Sequence, residues 1–252
     1  MNVDSHTYYL WVNVGCILFP FLLSFDKKIA FYKTWFAFFP GCLITMLIFI
    51  PWDVIFTVNG VWRFNSEYLI GIDIFHLPLE EWLFFITIPY ACVFSYACYK
   101  SYLPNAGTDG KTHLILGILS TFCLVLCIWF YNHLYTLITF SLLFIMLILH
   151  LRIFKQNNLK YFFPVYGIML IPFIIANGVL TGLEFWNYPI LNINPEAVLD
   201  QIVWYNNNHN LRLRIFSIPL DDIFYGMLLI LMNVTWYEYF LSRKQKKNAL
   251  KS

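Results

Sequence analysis

The chain has 252 residues, of which 60% are hydrophobic and 21% aromatic, while only 12% are charged. This charged fraction is about half that of ordinary soluble domains, which excludes a soluble globular protein. The formal net charge of +2 gives no reason to expect a nucleic-acid partner. We therefore predict an all-α, polytopic membrane protein that lies in a lipid bilayer.

Seven stretches of the chain are apolar enough to be membrane helices, because about 20 apolar residues cross a bilayer. The apolar run 112–151 is too long for one crossing and is divided at residues 131–133. Two polar connections, 59–77 and 184–217, lie on the same side, and the longer one is expected to contain a short helix near Pro195. The predicted helices cover residues 8–25, 34–58, 78–99, 113–131, 134–153, 160–183 and 218–240.

The chain contains an internal duplication, which is clearest where a proline precedes two acids. The segment Pro78-Leu79-Glu80-Glu81 recurs 141 positions later as Pro219-Leu220-Asp221-Asp222. Further matches at this offset or at smaller ones pair Phe64-Asn65 with Tyr205-Asn206, Phe39-Pro40 with Phe163-Pro164, and Asn59-Gly60 with Asn177-Gly178.

One predicted helix, at 113–131, has no counterpart in the duplication. It therefore separates two repeats of three helices that have the same orientation in the membrane. We predict a first repeat at residues 1–104, a linker helix within 105–132 and a second repeat at 133–252.

Lysine and arginine are distributed unevenly between the two sides of the predicted bundle. Of the 16 such residues, all but Arg63, Arg212 and Arg214 lie after helices 1, 3 and 5 or at the C-terminus. Positive charge marks the cytoplasmic side. We expect an integral protein of the cell (inner) membrane with its N-terminus outside and its C-terminus in the cytoplasm. Arg212 and Arg214 are candidates for pairing with nearby acids.

Neither a metal site nor a cofactor motif is apparent. The six cysteines lie in apolar runs without Cys-x-x-Cys spacing, so we interpret them as small core residues rather than disulfides or metal ligands. The histidines form no cluster, and no Gly-x-Gly-x-x-Gly sequence occurs. We therefore predict no metal and no cofactor.

The paired acids Glu80, Glu81, Asp221 and Asp222 are the candidate catalytic residues, because charge in a membrane helix is costly unless it has a function or a partner. Acids in a first helical turn are also favoured by the helix dipole, which is the alternative interpretation. Successive helical residues point about 100° apart, so one acid of each pair faces the bundle. We slightly favour Glu80 and Asp221. The candidate substrate-binding residues are Asn59, Asn65, Trp82, Asn177, Tyr205 and Asn206.

These motifs resemble those of the carotenoid lycopene cyclases of the heterodimeric or fused type. The matching elements are Asn59-Gly60, Pro78 to Phe85, Asn177 to Gly182, Tyr205-Asn206, Ile218 to Gly226 and Tyr237-Glu238. The resemblance implies acid/base cyclisation of the ψ end groups of lycopene to β-ionone rings, which gives γ-carotene and then β-carotene. Such an isomerisation needs no cofactor.

Several alternatives remain open at this point. The substrate is lycopene or a related linear carotenoid, a C50 compound included, and the ring is of β, ε or γ type. A carotenoid hydratase, a prenyl-transferring relative and a proton-coupled transporter share the apolar bundle and intramembrane acids. Which acid donates the proton, and whether the protein forms a homo-oligomer or a complex with other carotenoid enzymes, are also open.

Overall fold

The computed structural model describes residues 4–108, 110–154 and 159–250, and within these it contains seven α-helices. This confirms the all-α, seven-helix prediction. The largest difference in bounds is at the last helix, which continues nine residues past position 240 because its end is rich in lysine and arginine, which are good helix formers. The helices are α1 (Tyr8–Leu23), α2 (Trp35–Val58), α3 (Leu79–Tyr102), α4 (Thr112–Trp129), α5 (Leu134–Leu149), α6 (Leu159–Thr181) and α7 (Leu220–Ala249).

Six of these helices are long and apolar enough to cross a bilayer, and α7 is the exception. Polar residues such as Asn233 and Glu238 lower the mean hydropathy of α7, but every residue from Met227 to Thr235 is buried. The helix packs against α2, α3 and α5. A helix enclosed by other helices does not face lipid, so it tolerates polar side chains that find partners inside the protein.

The two predicted repeats interlock. The first helix of each packs on the third helix of the same repeat, α1 on α3 and α5 on α7. The second helix packs on the third helix of the other repeat, α2 on α7 and α6 on α3. The α2–α7 contact is close at Gly41, where an added Cβ would lie 2.9 Å from Cβ of Trp236. The helix α4 packs on α5.

Short strands, which the sequence analysis did not predict, order the loops at one end of the bundle. Strand β1 (Trp62–Phe64) pairs antiparallel with β5 (Val203–Tyr205), and Arg63 lies opposite Trp204. Residues 63 and 204 are 141 positions apart, so the two repeats meet here at equivalent positions. The long loop also contains a 3-10 turn at Pro195–Ala197, where a short helix was predicted.

One hairpin precedes the third helix of each repeat. Strand β2 (Asp73–Ile74) pairs with β3 (Leu77–Pro78) before α3. Strand β6 (Arg214–Ile215) pairs with β7 (Ile218–Pro219) before α7, and β4 (Leu191–Asn192) extends this sheet. The proline that ends each hairpin precedes the first helical residue, so the backbone enters both helices in the same way.

The interlocked packing predicts that two separately expressed pieces, residues 1–104 and 105–252, associate in the membrane and copurify. Gly41→Leu should weaken this association by about 1–3 kcal/mol, because the side chain has no room between α2 and α7. Gly117→Leu in α4 is the matched control, since nothing lies within 4 Å of its added Cβ. Equal copurification of the two variants, measured against the unmodified pair, would contradict the interlocked arrangement.

Candidate active site

The first acid of each pair binds a backbone N–H group of a neighbouring loop. The Glu80 carboxylate accepts a hydrogen bond from the backbone N–H of Ile70 at 2.7 Å, and Asp221 accepts one from the N–H of Leu211 at 3.0 Å. Ile70 and Leu211 are themselves 141 positions apart. Asp221 also accepts from Oγ1 of Thr136 at 2.6 Å. Neither acid lines the cavity that is described below. The geometry therefore favours Glu81 and Asp222, and not Glu80 and Asp221, as the acids that face the site.

The second acid of each pair faces a cavity inside the bundle. Glu81 accepts a hydrogen bond from the hydroxyl of Tyr9, and Asp222 accepts one from Oη of Tyr135 at 2.7 Å. Tyr9 and Tyr135 are the second residues of α1 and α5, so the two repeats build the same tyrosine–carboxylate contact. The sequence analysis identified neither tyrosine, although both stand at equivalent positions in the first helix of their repeat.

A second neighbour of the acid that faces the cavity differs between the two repeats. Nδ2 of Asn177 donates to Asp222 at 2.8 Å. Beside Glu81 the corresponding side chain is Asp53, which lies within hydrogen-bonding reach of Glu81 and accepts from Nε1 of Trp62 at 2.6 Å. The sequence analysis missed this buried aspartate.

The sequence nevertheless contains a signal for Asp53. It follows Pro40 by 13 residues, as Asn177 follows Pro164, and these prolines belong to matching Phe-Pro pairs. The spacing between the two Phe-Pro pairs therefore aligns Asp53 with Asn177. The structure therefore replaces the correspondence of Asn59 with Asn177 by one of Asp53 with Asn177.

The cavity contains about 1110 Å³ of empty space, the open space at its mouth included, and it has one polar, aromatic end and one apolar end. The apolar end is bounded by Ile88, Cys92, Met169 and Phe173, among others. Because Cys92 follows Glu81 by 11 helical residues, the cavity extends about 16 Å along α3. The polar end is formed by Tyr9, Asp53, Trp62, Glu81, Tyr135, Asn177, Tyr205, Asp222 and Tyr225.

Four rings, from Trp62, Tyr135, Tyr205 and Tyr225, surround the carboxyl groups, and we call them the aromatic cage. The Trp62 ring centroid lies 5.2 Å from that of Tyr135 and 6.3 Å from that of Tyr225, while Tyr135 and Tyr205 lie 6.0 Å apart. Withdrawal from solvent and then the Asp222 carboxylate raise the pKa of Tyr205 well above its ordinary value. Its phenol therefore stays protonated and donates to Asp222.

Four of the predicted substrate-binding residues lie outside the cavity and have local roles. Nδ2 of Asn59 donates to the carbonyl of Ile55, and Oδ1 of Asn65 accepts from the N–H of Glu67. Asn206 Nδ2 reaches the carbonyl of Gly60 at 3.3 Å, and Trp82 Nε1 donates to the carbonyl of Ile74. Of the six candidates, the structure places only Asn177 and Tyr205 in the cavity wall.

The two arginines near the site do not form the expected ion pairs. Arg214 is buried and donates to the carbonyl of Ser217 and to Oδ1 of Asn207. Burial lowers the pKa of its guanidinium, and the nearby Asp222 carboxylate opposes this. Arg212 donates to the carbonyl of Asn207 and to the side chain of Asn208. The ion pair that the described residues do contain joins Lys100 to Glu238 at the other end of α3 and α7.

The described residues contain no group of three or more histidine, cysteine, aspartate or glutamate side chains placed to hold a metal ion. The six cysteines are free, and Cys42, Cys92 and Cys123 are buried. The polar end of the cavity presents carboxyl groups, phenols, one indole N–H and one amide, which can donate, accept or hold protons.

Comparison with known families identifies one match. A family model described as lycopene cyclase matches residues 6–99 and 132–240, which is most of the chain and includes every cavity carboxylate. No curated protein sequence and no solved structure matches the chain. Together with the buried carboxylates and the long apolar cavity, the match shows that this chain belongs to the lycopene cyclase family.

Proposed function

We propose that the protein is a lycopene β-cyclase, which converts the ψ end groups of lycopene to β-ionone rings by acid/base catalysis. The observation that carries this proposal is the presence of two carboxyl groups, Glu81 and Asp222, at the polar end of one largely apolar cavity. The family supports a carotenoid substrate. The cavity extends far enough along α3 to hold an extended polyene end.

The chemistry requires only a proton donor and a proton acceptor. A carboxylic acid protonates the terminal C=C of the end group, which leaves a tertiary carbocation. The electron pair of the neighbouring C=C attacks this cation and forms the ring C–C bond. A carboxylate then removes a ring proton, and the electrons of the broken C–H bond form the ring C=C. Substrate and product are isomers.

The aromatic cage suits the intermediate. A cation over the face of a tryptophan or tyrosine ring is stabilised by about 0.5–2 kcal/mol. Several rings of the cage line the same part of the cavity as the two carboxyl groups. The cage and the apolar walls also keep bulk water from the cation, which favours loss of a proton over addition of water.

Replacing either cavity carboxylate by its amide should abolish cyclisation. Glu81→Gln and Asp222→Asn keep the shape of the side chain but cannot transfer the proton, so we expect at least a ~100-fold loss of activity. The assay is expression in a lycopene-accumulating bacterium, with chromatography of the pigments and immunoblotting of the membrane fraction.

Glu80→Gln is the matched control, because its amide oxygen can still accept the hydrogen bond from Ile70 and it does not line the cavity. It should retain activity. Normal β-carotene formation by the Glu81→Gln/Asp222→Asn double variant would refute the proposed function. If Glu80→Gln were inactive while Glu81→Gln was active, the catalytic role would belong to Glu80 and not to Glu81.

The proton that the enzyme adds should remain in the product. Cyclisation in heavy water should therefore place one deuterium in each ring, because the protonated carbon becomes a ring CH₂ group. Mass spectrometry of the isolated carotene tests this. A ring without deuterium would contradict the acid mechanism, and a product heavier by one water would instead identify a hydratase.

We also propose the orientation indicated by the basic residues, with the carboxyl groups at the outer end of α3 and α7 and the C-terminus in the cytoplasm. In this orientation the connection between α3 and α4 is cytoplasmic. Reporter fusions after residues 28, 108 and 245 should therefore all report the cytoplasm. A fusion after residue 108 that reports the outer side would contradict both this topology and the equal orientation of the two repeats.

A further inference from the structure

The two halves of the cavity are not chemically equivalent. Glu81 and Asp222 each bind a tyrosine at the same repeat position. A further neighbour is a carboxyl group, Asp53, in the first half and an amide, Asn177, in the second. The second half also has the Tyr205 hydroxyl where the first has Phe64, so two exchanges at equivalent positions break the symmetry of the site.

In the first half, two carboxyl groups lie in contact and are both buried. The exposed fractions of Asp53 and Glu81 are 2% and 8%. Oδ1 of Asp53 accepts from Trp62, while Oδ2 receives no hydrogen bond from any N–H or hydroxyl group of the described residues. Two carboxyl groups attract each other only when one carries a proton, since two negative charges at this distance repel. An Asp53–Glu81 pair that holds one proton avoids this repulsion.

In the second half, the side chains that hydrogen-bond Asp222 are all donors. Tyr135, Asn177 and Tyr205 all donate to its two oxygens. An ionised carboxylate is an acceptor only, whereas a protonated carboxyl group also needs an acceptor. This arrangement favours the ionised form of Asp222.

We propose that Asp53 and Glu81 share the proton that is delivered to the substrate, and that Asp222 is the ionised group that stabilises the cation and accepts the ring proton. The proposal rests on the proposed cyclase function and assigns the donor and acceptor within it. Asp53 acts through Glu81 and is thus a positioning residue, while Glu81 delivers the proton to the end group.

Protons are conserved over one turnover. The pair loses its proton as the new C–H bond forms, and Asp222 gains one as the ring C–H bond breaks. The proton on Asp222 must then return to the pair. Tyr225 lines the cavity near Asp53, Glu81 and Asp222, and it is part of the proposal that its phenol carries this proton.

The test exchanges the side chains of Asp53 and Asn177 between the two halves. Asp53→Asn gives Glu81 an amide neighbour like the one beside Asp222, so it should lower cyclisation at least ~100-fold. Adding Asn177→Asp creates a carboxyl pair beside Asp222, and the Asp53→Asn/Asn177→Asp variant should recover at least ~10-fold over Asp53→Asn. Asn59→Asp, at an exposed position directly after α2, is the control for an added carboxylate, and adding it to Asp53→Asn should restore no activity.

A measurement on the purified protein separates this proposal from the proposed function. Infrared spectroscopy in light and heavy water should detect the C=O stretch of a protonated carboxyl group, which disappears in Asp53→Asn and in Glu81→Gln and persists in Asp222→Asn. Persistence of this band in Asp53→Asn, or full activity of that variant while Glu81→Gln is inactive, would overturn the shared proton and leave the cyclase proposal intact. Activity in all of the carboxylate variants would instead refute the cyclase proposal.

Discussion

A carboxyl group buried in an apolar bundle requires hydrogen-bond partners, because an unpaired buried charge is far more costly than a paired one. This requirement organises one end of the molecule. Glu80 and Asp221 take loop N–H groups, while Glu81 and Asp222 take tyrosine hydroxyls from the first helix of their repeat. The loops, the hairpins and the helix starts are thereby tied to the same four side chains.

The position of α7 in the bundle follows from the same physical constraint. Its polar residues would be unfavourable against lipid, but inside the bundle Glu238 binds Lys100 and Tyr96 of α3. These contacts join α3 to α7 at the end of the two helices that lies away from the cavity carboxyl groups.

Duplication supplies two similar half-sites, and exchanged residues give them different chemistry. A symmetric site with a carboxyl pair in each half would have two competing proton donors. With Asp53 in one half and Asn177 in the other, the neighbours favour a shared proton on one side and an ionised carboxylate on the other. Separate roles for two similar acids are what acid/base catalysis in a single cavity requires.

The sequence by itself determined the helices, the duplication and the four acids of the repeated motif, because hydropathy and the position of proline are local properties of the chain. Only the tertiary structure decided which acid of each pair faces the cavity, since that depends on helix rotation set by packing. It also supplied Tyr9, Tyr135 and Asp53, which come from other helices, and it moved Asn59, Asn65, Asn206 and Trp82 out of the site. Contacts between helices distant in sequence leave no local pattern, which is why the chemistry of the site required the fold.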